Sequence, residues 1–153
     1  MLTYTLAEFL ETAPDEGYCT VYVARDGATV LYVGKATAGI RERWAGGRSP
    51  HVIVNGFGWQ GYSTIGSLIV EHLPESRDWQ IDLYTAEECQ EIVLRHFPYC
   101  NHVSTNYAEL ALIQELRPLF NVASTGYERE IPAKFRRGPA TATLAMDRAM
   151  NAA

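Results

Sequence analysis

Hydrophobic and polar residues alternate over short stretches of the chain, and these stretches predict a small antiparallel sheet. Two runs rich in β-branched and aromatic residues, Thr20–Ala24 and Thr29–Gly34, are separated by a short connection that contains Asp26-Gly27. This arrangement is typical of a β-hairpin. The run Trp79–Tyr84 alternates apolar and polar residues as a half-buried strand does, so we expect it to be the third strand of the sheet.

The connection between the first two strands decides whether Tyr22 and Tyr32 share a face of the sheet. Side chains on paired strands share a face only when the register of the pairing has the matching parity. A two-residue Asp26-Gly27 loop would put the phenols on opposite faces, whereas a three-residue loop, Arg25-Asp26-Gly27, would put them on one face. We expect the three-residue loop, with Gly27 in the left-handed conformation that glycine adopts without strain.

Helical periodicity and helix-start signals predict helices on the flanks of the sheet. Capping boxes, in which a threonine and the glutamate three residues later bind each other's backbone amides, open helices at Thr5 and Thr85. The predicted helices cover 5–12, a helix start at 40–45, then 63–73, 85–97 and 105–116. The sequence therefore predicts an α/β fold of the α+β type, with a central antiparallel three-stranded sheet flanked by helices.

The last predicted helix carries a carboxylate on its apolar face. Glu109 lies at helical spacing from Leu112, Ile113 and Leu116, at positions that point inward. Burying an unpaired carboxylate is costly, so this one must be paired, bound to a metal or placed at the rim of a cleft. Glu109 is therefore a candidate site residue.

The composition is that of an ordinary globular chain with an acidic balance. The 153 residues are 47% hydrophobic and 20% charged, and the formal net charge is −5. An acidic chain does not coat nucleic acid indiscriminately, because such affinity comes from Lys and Arg that neutralise phosphates. This balance is compatible with a local basic cleft, because four cations lie close together in sequence, namely Lys35, Arg41, Arg43 and Arg48.

Neither a membrane span nor a secretion signal is visible in the sequence. No apolar run reaches the roughly 18 residues of a membrane span, and the N-terminus has neither a basic start nor an apolar signal core. Cys19, Cys89 and Cys100 form an odd set, which favours reduced thiols. We expect a cytoplasmic protein without a membrane partner.

The predicted hairpin and the residues after it resemble the GIY-YIG nuclease family. Thr20-Val-Tyr22 is similar to the family's Gly-Ile-Tyr, and Tyr32-Val-Gly34 is similar to its Tyr-Ile-Gly. Gly34-Lys35 followed by Ile40-Arg-Glu-Arg43 is similar to the basic start of the family's first helix after the hairpin. Arg41 is the alternative to Arg43 in this match.

A third segment resembles the family's late helix. It places Glu109 where the family has a metal-binding glutamate, and Pro118-Leu-Phe-Asn121 resembles the Pro-x-x-Asn element that follows. The resemblance covers about residues 18–122, and it implies a GIY-YIG-like fold with an insertion at about 46–78.

The resemblance implies an endonuclease that hydrolyses phosphodiester bonds of DNA. Tyr22 would be the general base or the phenol that orients the attacking water, and Tyr32 would position water or phosphate. Lys35 would lower the pKa of the phenol or hold the phosphate, and Arg43 would stabilise the pentacovalent phosphate. A phenol with an ordinary pKa of ~10 is a poor base at neutral pH, so nearby cations are a chemical requirement.

The remaining implied roles concern the metal and the substrate. Glu109 would hold one divalent cation, Mg²⁺ or Mn²⁺, and Asn121 would brace the site. The family often has a tyrosine or histidine one turn after the catalytic arginine, and Gly47 stands there, so His51 is the candidate replacement. The candidate substrate-binding residues are Gly34, Arg41 and Arg48.

The ends of the chain lie outside this resemblance. Residues 1–17 are predicted to carry the N-terminal helix, and 123–153 are predicted to be an arm or helix that binds a protein partner or a second copy. Two alternatives stay beside the nuclease hypothesis: a nucleic-acid-binding module that has lost catalysis, and a protein-interaction domain. RNA is the alternative to DNA as the nucleic acid.

Overall fold

A computed structural model of the chain describes residues 1–12, 21–36, 40, 44, 64–99, 105–121 and 130–136. The strands are β1 (Leu2–Thr5), β2 (Val21–Asp26), β3 (Thr29–Lys35) and β4 (Gln80–Leu83). The α-helices are α1 (Leu6–Thr12), α2 (Thr64–Glu71), α3 (Ala86–His96) and α4 (Thr105–Leu116). Short 3-10 helices lie at Glu75–Asp78 and Ala133–Phe135.

The sheet is antiparallel, as predicted, and the α+β class is confirmed. It has four strands in the order β1-β4-β2-β3, so the prediction of three strands was wrong. The additional strand is β1, in which Tyr4 pairs with Ile81 of β4. This strand is only four residues long and leads directly into the helix that Thr5 caps, so neither strand length nor a hairpin turn marks it in the sequence.

The hairpin between β2 and β3 reaches its register in an unexpected way. Asp26 and Thr29 form the last pair, so the loop is Gly27-Ala28 and the predicted three-residue loop was wrong. Gly27 does have the expected positive φ, +58°. The register shifts further along, because Ala24 pairs with Tyr32 whereas Arg25 pairs with Val30, which leaves Leu31 as the extra residue of a β-bulge.

The bulge decides which side chains of β3 face which layer. Leu31 and its neighbour Tyr32 both pack in the first core, although consecutive residues of a regular strand point to opposite faces. The bulge therefore has the same effect as a three-residue loop: it shifts the pairing by one residue, so that residues 22 and 32 point to the same face of the sheet. Tyr22 and Tyr32 share one face, as expected, with their ring centroids 6.4 Å apart.

Both faces of the sheet are covered. The first core joins Tyr22, Ala24 and Ile81 to apolar side chains of α1, α2 and the 130–136 segment. The second core lies on the opposite face and contains side chains from β2, β3, α3 and α4, namely Val21, Val23, Val33, Cys89, Ile92, Val93, Ala108, Ala111, Leu112 and Ile113. The described part of the chain is therefore a sheet between two layers of helices.

The outer edge of β3 is covered by the segment that follows α4. The amides of Leu119 and Phe120 donate to the carbonyls of Val30 and Leu31, with N···O distances of 3.1 and 2.9 Å. Hydrogen bonds to two consecutive carbonyls on one edge are consistent with the bulge at Leu31. This segment delivers Asn121 to the same strand.

Local sequence signals account for how two of the helices begin. Both predicted capping boxes are present, Thr5 with Glu8 and Thr85 with Glu88, and all four reciprocal contacts measure 3.0–3.2 Å. A cap of this kind stabilises a helix by about 1 kcal/mol. No helix among the described residues has the length and apolar character needed to cross a membrane.

Candidate functional site

Tyr22 occupies the middle of the first core. Only 1% of its surface is exposed, and its ring packs edge-on against Trp44 with the centroids 5.1 Å apart. Tyr32, diagonal to it across the hairpin, is only partly buried. The two phenols thus lie side by side, with Tyr32 nearer to solvent.

Gly34 is required by the position of Tyr22. The two residues are directly opposite in the β2–β3 register. A Cβ atom at position 34 would lie 2.3 Å from Tyr22 Oη and 2.4 Å from its Cζ, far inside van der Waals contact. The hydroxyl of Tyr22 therefore lies against the backbone at the carboxyl end of β3.

Lys35 leaves the strand on the other face. It pairs with Val21, whose side chain lies in the second core, and its Nζ donates a hydrogen bond to Asn106 Oδ1 on α4. The candidate residues therefore form two groups on opposite faces of the sheet, which meet at the carboxyl end of β3. Strand alternation after Gly34 was the available signal for this separation.

Glu109 lies on the same helix as Asn106, three residues later. It is partly buried among inward-facing residues of α4, as its periodicity predicts. Burial raises the pKa of its carboxyl above the ordinary value of 4.5, and the ammonium of Lys35 acts in the opposite direction. The charges of Lys35 and Glu109 thus interact at the carboxyl end of β3.

Asn106 is a part of this group that the sequence predictions missed. Its side chain is exposed and accepts the hydrogen bond from Lys35. The signal that could have identified it is its spacing from Glu109, because residues three apart on a helix lie on one face. The Lys35 ammonium therefore donates to an amide oxygen and acts electrostatically on a carboxylate one helical turn away.

Asn121 binds the backbone of β3 at its edge. Its Oδ1 accepts from the amide of Val33 at 2.9 Å, and its Nδ2 donates to the carbonyl of the same residue at 2.7 Å. Val33 lies between Tyr32 and Gly34 in the strand. Asn121 thus holds in place the stretch that carries the candidate residues.

The remaining candidate residues, Arg41, Arg43, Arg48 and His51, lie outside the described residues. Two neighbours of the arginines, Ile40 and Trp44, are helical and buried in the first core. Their spacing of four residues is that of one helix face, as the predicted helix start at 40–45 requires.

The donor set suits a hard divalent cation better than a soft one. In the part of the chain that the structure describes, no three His, Cys, Asp or Glu residues are grouped closely enough to form a metal site. Glu109 and Asn106 offer a carboxylate and an amide oxygen, and Mg²⁺ is commonly held by one or two carboxylates while it keeps several waters. The chemistry of these two side chains is therefore compatible with a hard ion such as Mg²⁺ or Mn²⁺, although Asn106 Oδ1 already accepts a hydrogen bond from Lys35.

Comparisons of the chain with models of protein families, with curated proteins and with solved structures gave no match.

Proposed function

We propose that the chain is a divalent-metal-dependent endonuclease of the GIY-YIG type that hydrolyses phosphodiester bonds of DNA. The observation that supports this function most is the convergence at the carboxyl end of β3. There the hydroxyl of Tyr22 lies against Gly34, and the next residue, Lys35, interacts with Glu109 and Asn106. A phenol from β2, a cation from β3 and oxygen ligands for a metal from one turn of α4 thus come together at this end of the hairpin.

The proposed reaction assigns the proton transfer to a phenol. A water molecule attacks phosphorus and gives its proton to the oxygen of Tyr22, while the bond from phosphorus to the departing oxygen breaks and that oxygen takes a proton from solvent. Tyr32 positions the water or the phosphate. This step needs the ionised phenol, which burial of Tyr22 disfavours. Because Lys35 leaves β3 on the opposite face of the sheet, its proposed role is to hold the phosphate.

Glu109 would hold the metal ion, and Asn106 Oδ1 would be a second ligand once the Lys35 ammonium that it binds turns to the phosphate. When bound, such a cation neutralises charge on the phosphate and lowers the pKa of a coordinated water. Partial burial disfavours the charged form of Glu109, and one ammonium only partly offsets this. An added cation would stabilise the carboxylate, which is why Glu109 is a better ligand candidate than an exposed glutamate.

The other proposed roles come from the family resemblance. Arg43 would neutralise the negative charge that develops on the pentacovalent phosphate, and Arg41 and Arg48 would contact flanking phosphates. His51 would stand in for the tyrosine or histidine that the family often carries. Asn121 would keep β3 in register so that Gly34 stays beneath the phenol.

A second function, nucleic-acid binding without cleavage, is favoured by a different observation. Tyr22 is 1% exposed, and the tyrosines and the Lys35–Glu109 pair project from opposite faces of the sheet. A phosphate can contact both groups only at the end of β3. If it contacts Lys35 alone, the chain binds nucleic acid and leaves it intact.

A cleavage assay separates these two functions. Linear, nicked, branched and single-stranded DNA, with RNA in parallel, would be incubated with the protein in Mg²⁺, in Mn²⁺ and in EDTA. We expect metal-dependent cleavage that falls by roughly 10²–10⁴-fold in Tyr22→Phe, the usual loss when a general base is removed. Glu109→Ala should abolish the metal-dependent cleavage, whereas Glu91→Ala, at an exposed glutamate on α3, should cleave like the wild type and is the matched control.

The outcomes are distinct. Cleavage by Glu109→Ala at the wild-type rate would refute the metal assignment, and unchanged cleavage by Tyr22→Phe would refute the general base. Binding of DNA by the wild-type chain with no cleavage in either metal would establish the second function. Isothermal titration of Mg²⁺ into the wild-type and Glu109→Gln proteins tests the metal ligand without any reaction.

A further inference from the structure

An aromatic groove lies beside the first turn of α4. It has a volume of about 390 Å³ and is lined by His96, Phe97, Pro98, Tyr99 and Tyr107. The rings of Phe97 and Tyr107 pack against each other with centroids 5.5 Å apart. Tyr99 is 94% exposed, and Tyr107 is 40% exposed. Phenol rings left this open to water lack the burial that would explain them as core residues.

The groove and the candidate site share the first turn of α4. Tyr107 directly follows Asn106, which binds the Lys35 ammonium, and it precedes Glu109 by two positions. The first turn of α4 therefore carries the oxygen ligands, Asn106 and Glu109, on one side of the helix and the aromatic ring of Tyr107 on an adjacent side. A polymer whose phosphate lies at Lys35 would carry its neighbouring base towards Tyr107.

The charges around the groove favour a ligand that binds by stacking. Glu115 accepts hydrogen bonds from Arg95 and from His96, a residue of the groove lining, at 3.2 Å, so this carboxylate is already paired with a cation. The whole chain is acidic, with a net charge of −5, and cannot hold nucleic acid by general attraction to phosphates. Stacking of bases on aromatic rings supplies affinity that does not depend on charge.

We propose that the groove formed by Phe97, Pro98, Tyr99 and Tyr107 binds an unpaired base next to the phosphate at Lys35. The inference rests on the proposed nuclease function for the identity of the polymer. It specifies the substrate class as nucleic acid with unpaired nucleotides at the site of cleavage, such as a single strand or a flap. In a continuous duplex the bases are paired and stacked on one another, so none is accessible for stacking on the aromatic rings of the groove.

Binding in EDTA tests the groove independently of catalysis. The probes are fluorescein-labelled oligothymidylate of ~12 nucleotides, within the usual footprint of single-strand-binding proteins, and a labelled duplex of the same length. Fluorescence anisotropy should show that the wild-type protein prefers the single strand. Tyr99→Ala and Tyr107→Ala should each weaken single-strand binding roughly tenfold and leave duplex binding unchanged.

Matched variants distinguish loss of stacking from loss of structure. Tyr99→Phe and Tyr107→Phe keep the ring and should bind like the wild type, and so should Leu94→Ala, an exposed apolar residue of α3 outside the groove lining. Because Tyr99 is almost fully exposed, its replacement should leave the melting temperature unchanged. Replacement of a stacking ring should also leave the salt dependence of binding the same.

Three results would overturn the proposal. They are equal wild-type affinity for single strand and duplex, unchanged single-strand binding in both alanine variants, and displacement of the oligonucleotide by an aromatic peptide that binds more tightly at the groove. Failure of the nuclease function has another signature. If the wild-type protein cleaves no substrate, and the Tyr99→Ala variant nevertheless binds single strands more weakly than the wild type, the nuclease function fails and the groove is still a binding site.

Discussion

The side chain of Asn121 binds both backbone polar groups of Val33, 88 residues earlier in the chain. Asn121 is only 7% exposed, so water cannot replace these bonds if the amide is removed. A buried backbone N–H or C=O without a partner costs free energy comparable to that of a lost hydrogen bond. This one side chain therefore determines how well the edge of β3 is ordered between Tyr32 and Gly34.

We expect Asn121→Ala to lower the free energy of unfolding by about 2–4 kcal/mol, because it leaves two buried groups without hydrogen-bond partners. Urea denaturation followed by tryptophan fluorescence measures the change. Asn106→Ala, at an exposed position, should cost less than about 1 kcal/mol and serves as the control. Equal stability of the two variants would contradict the assigned role of Asn121.

Gly34→Ala should destabilise the protein by about 1–3 kcal/mol through overpacking, because the new methyl group would displace the phenol of Tyr22. A double-mutant cycle isolates this contact: in a Tyr22→Ala background, the same glycine substitution should cost almost nothing. Gly27→Ala is the comparison, since no atom lies within 4 Å of its added Cβ and only backbone strain at φ +58° acts there. Its cost should be the same in both backgrounds.

The carboxyl of Glu109 should reduce stability as the pH rises. Burial raises its folded-state pKa, so the unfolded chain loses this proton first, and stability is complete below the ordinary value of 4.5 and declines above it. Glu109→Gln should therefore be more stable than the wild type near neutral pH and not below 4.5. Lys35→Met should have the opposite effect near neutral pH. Urea unfolding at the two pH values measures both, and a pH-independent difference would contradict the assignment.

Tyr84 should make the fold sensitive to alkali. Burial, followed by the negative charge of Asp82, raises the pKa of this phenol from 10.0 to about 12. Because the unfolded chain ionises first, stability should be complete below 10.0 and be lost progressively as the pH rises towards 12. Tyr84→Phe should remove that loss, whereas Tyr99→Phe, at an exposed position, should not. Tyrosinate absorbance and unfolding midpoints across this range provide the measurement.

Features encoded by neighbouring residues were predictable from the sequence. The capping boxes at Thr5 and Thr85 depend on residues three positions apart, and both are present. The inward position of Glu109 follows from helical periodicity alone. Strand β1 was missed because its pairing with β4 joins residues about 80 positions apart, and nothing within Leu2–Thr5 indicates that partner.

The hairpin shows why register is harder to predict than strand position. For Tyr22 and Tyr32 to share a face of the sheet, the hairpin needs one extra residue between them. The sequence allows that residue to lie in the loop or in a strand. The structure places it at Leu31, whose side chain is fully buried in the first core. The position of the extra residue is therefore set by packing against elements distant in sequence, and local turn propensity does not determine it. In contrast, strand alternation alone predicts that Lys35 points to the face of the sheet opposite to that of Tyr22 and Tyr32.

The segment Leu119–Asn121 also affects how the molecule can associate. An edge strand with free amides and carbonyls is a template for pairing with another chain, and many proteins block such edges with charges or proline. Here the carbonyls of Val30 and Leu31 and both backbone groups of Val33 are already bonded within the molecule. A strand from a second molecule would have to displace these bonds before it could extend the sheet at β3.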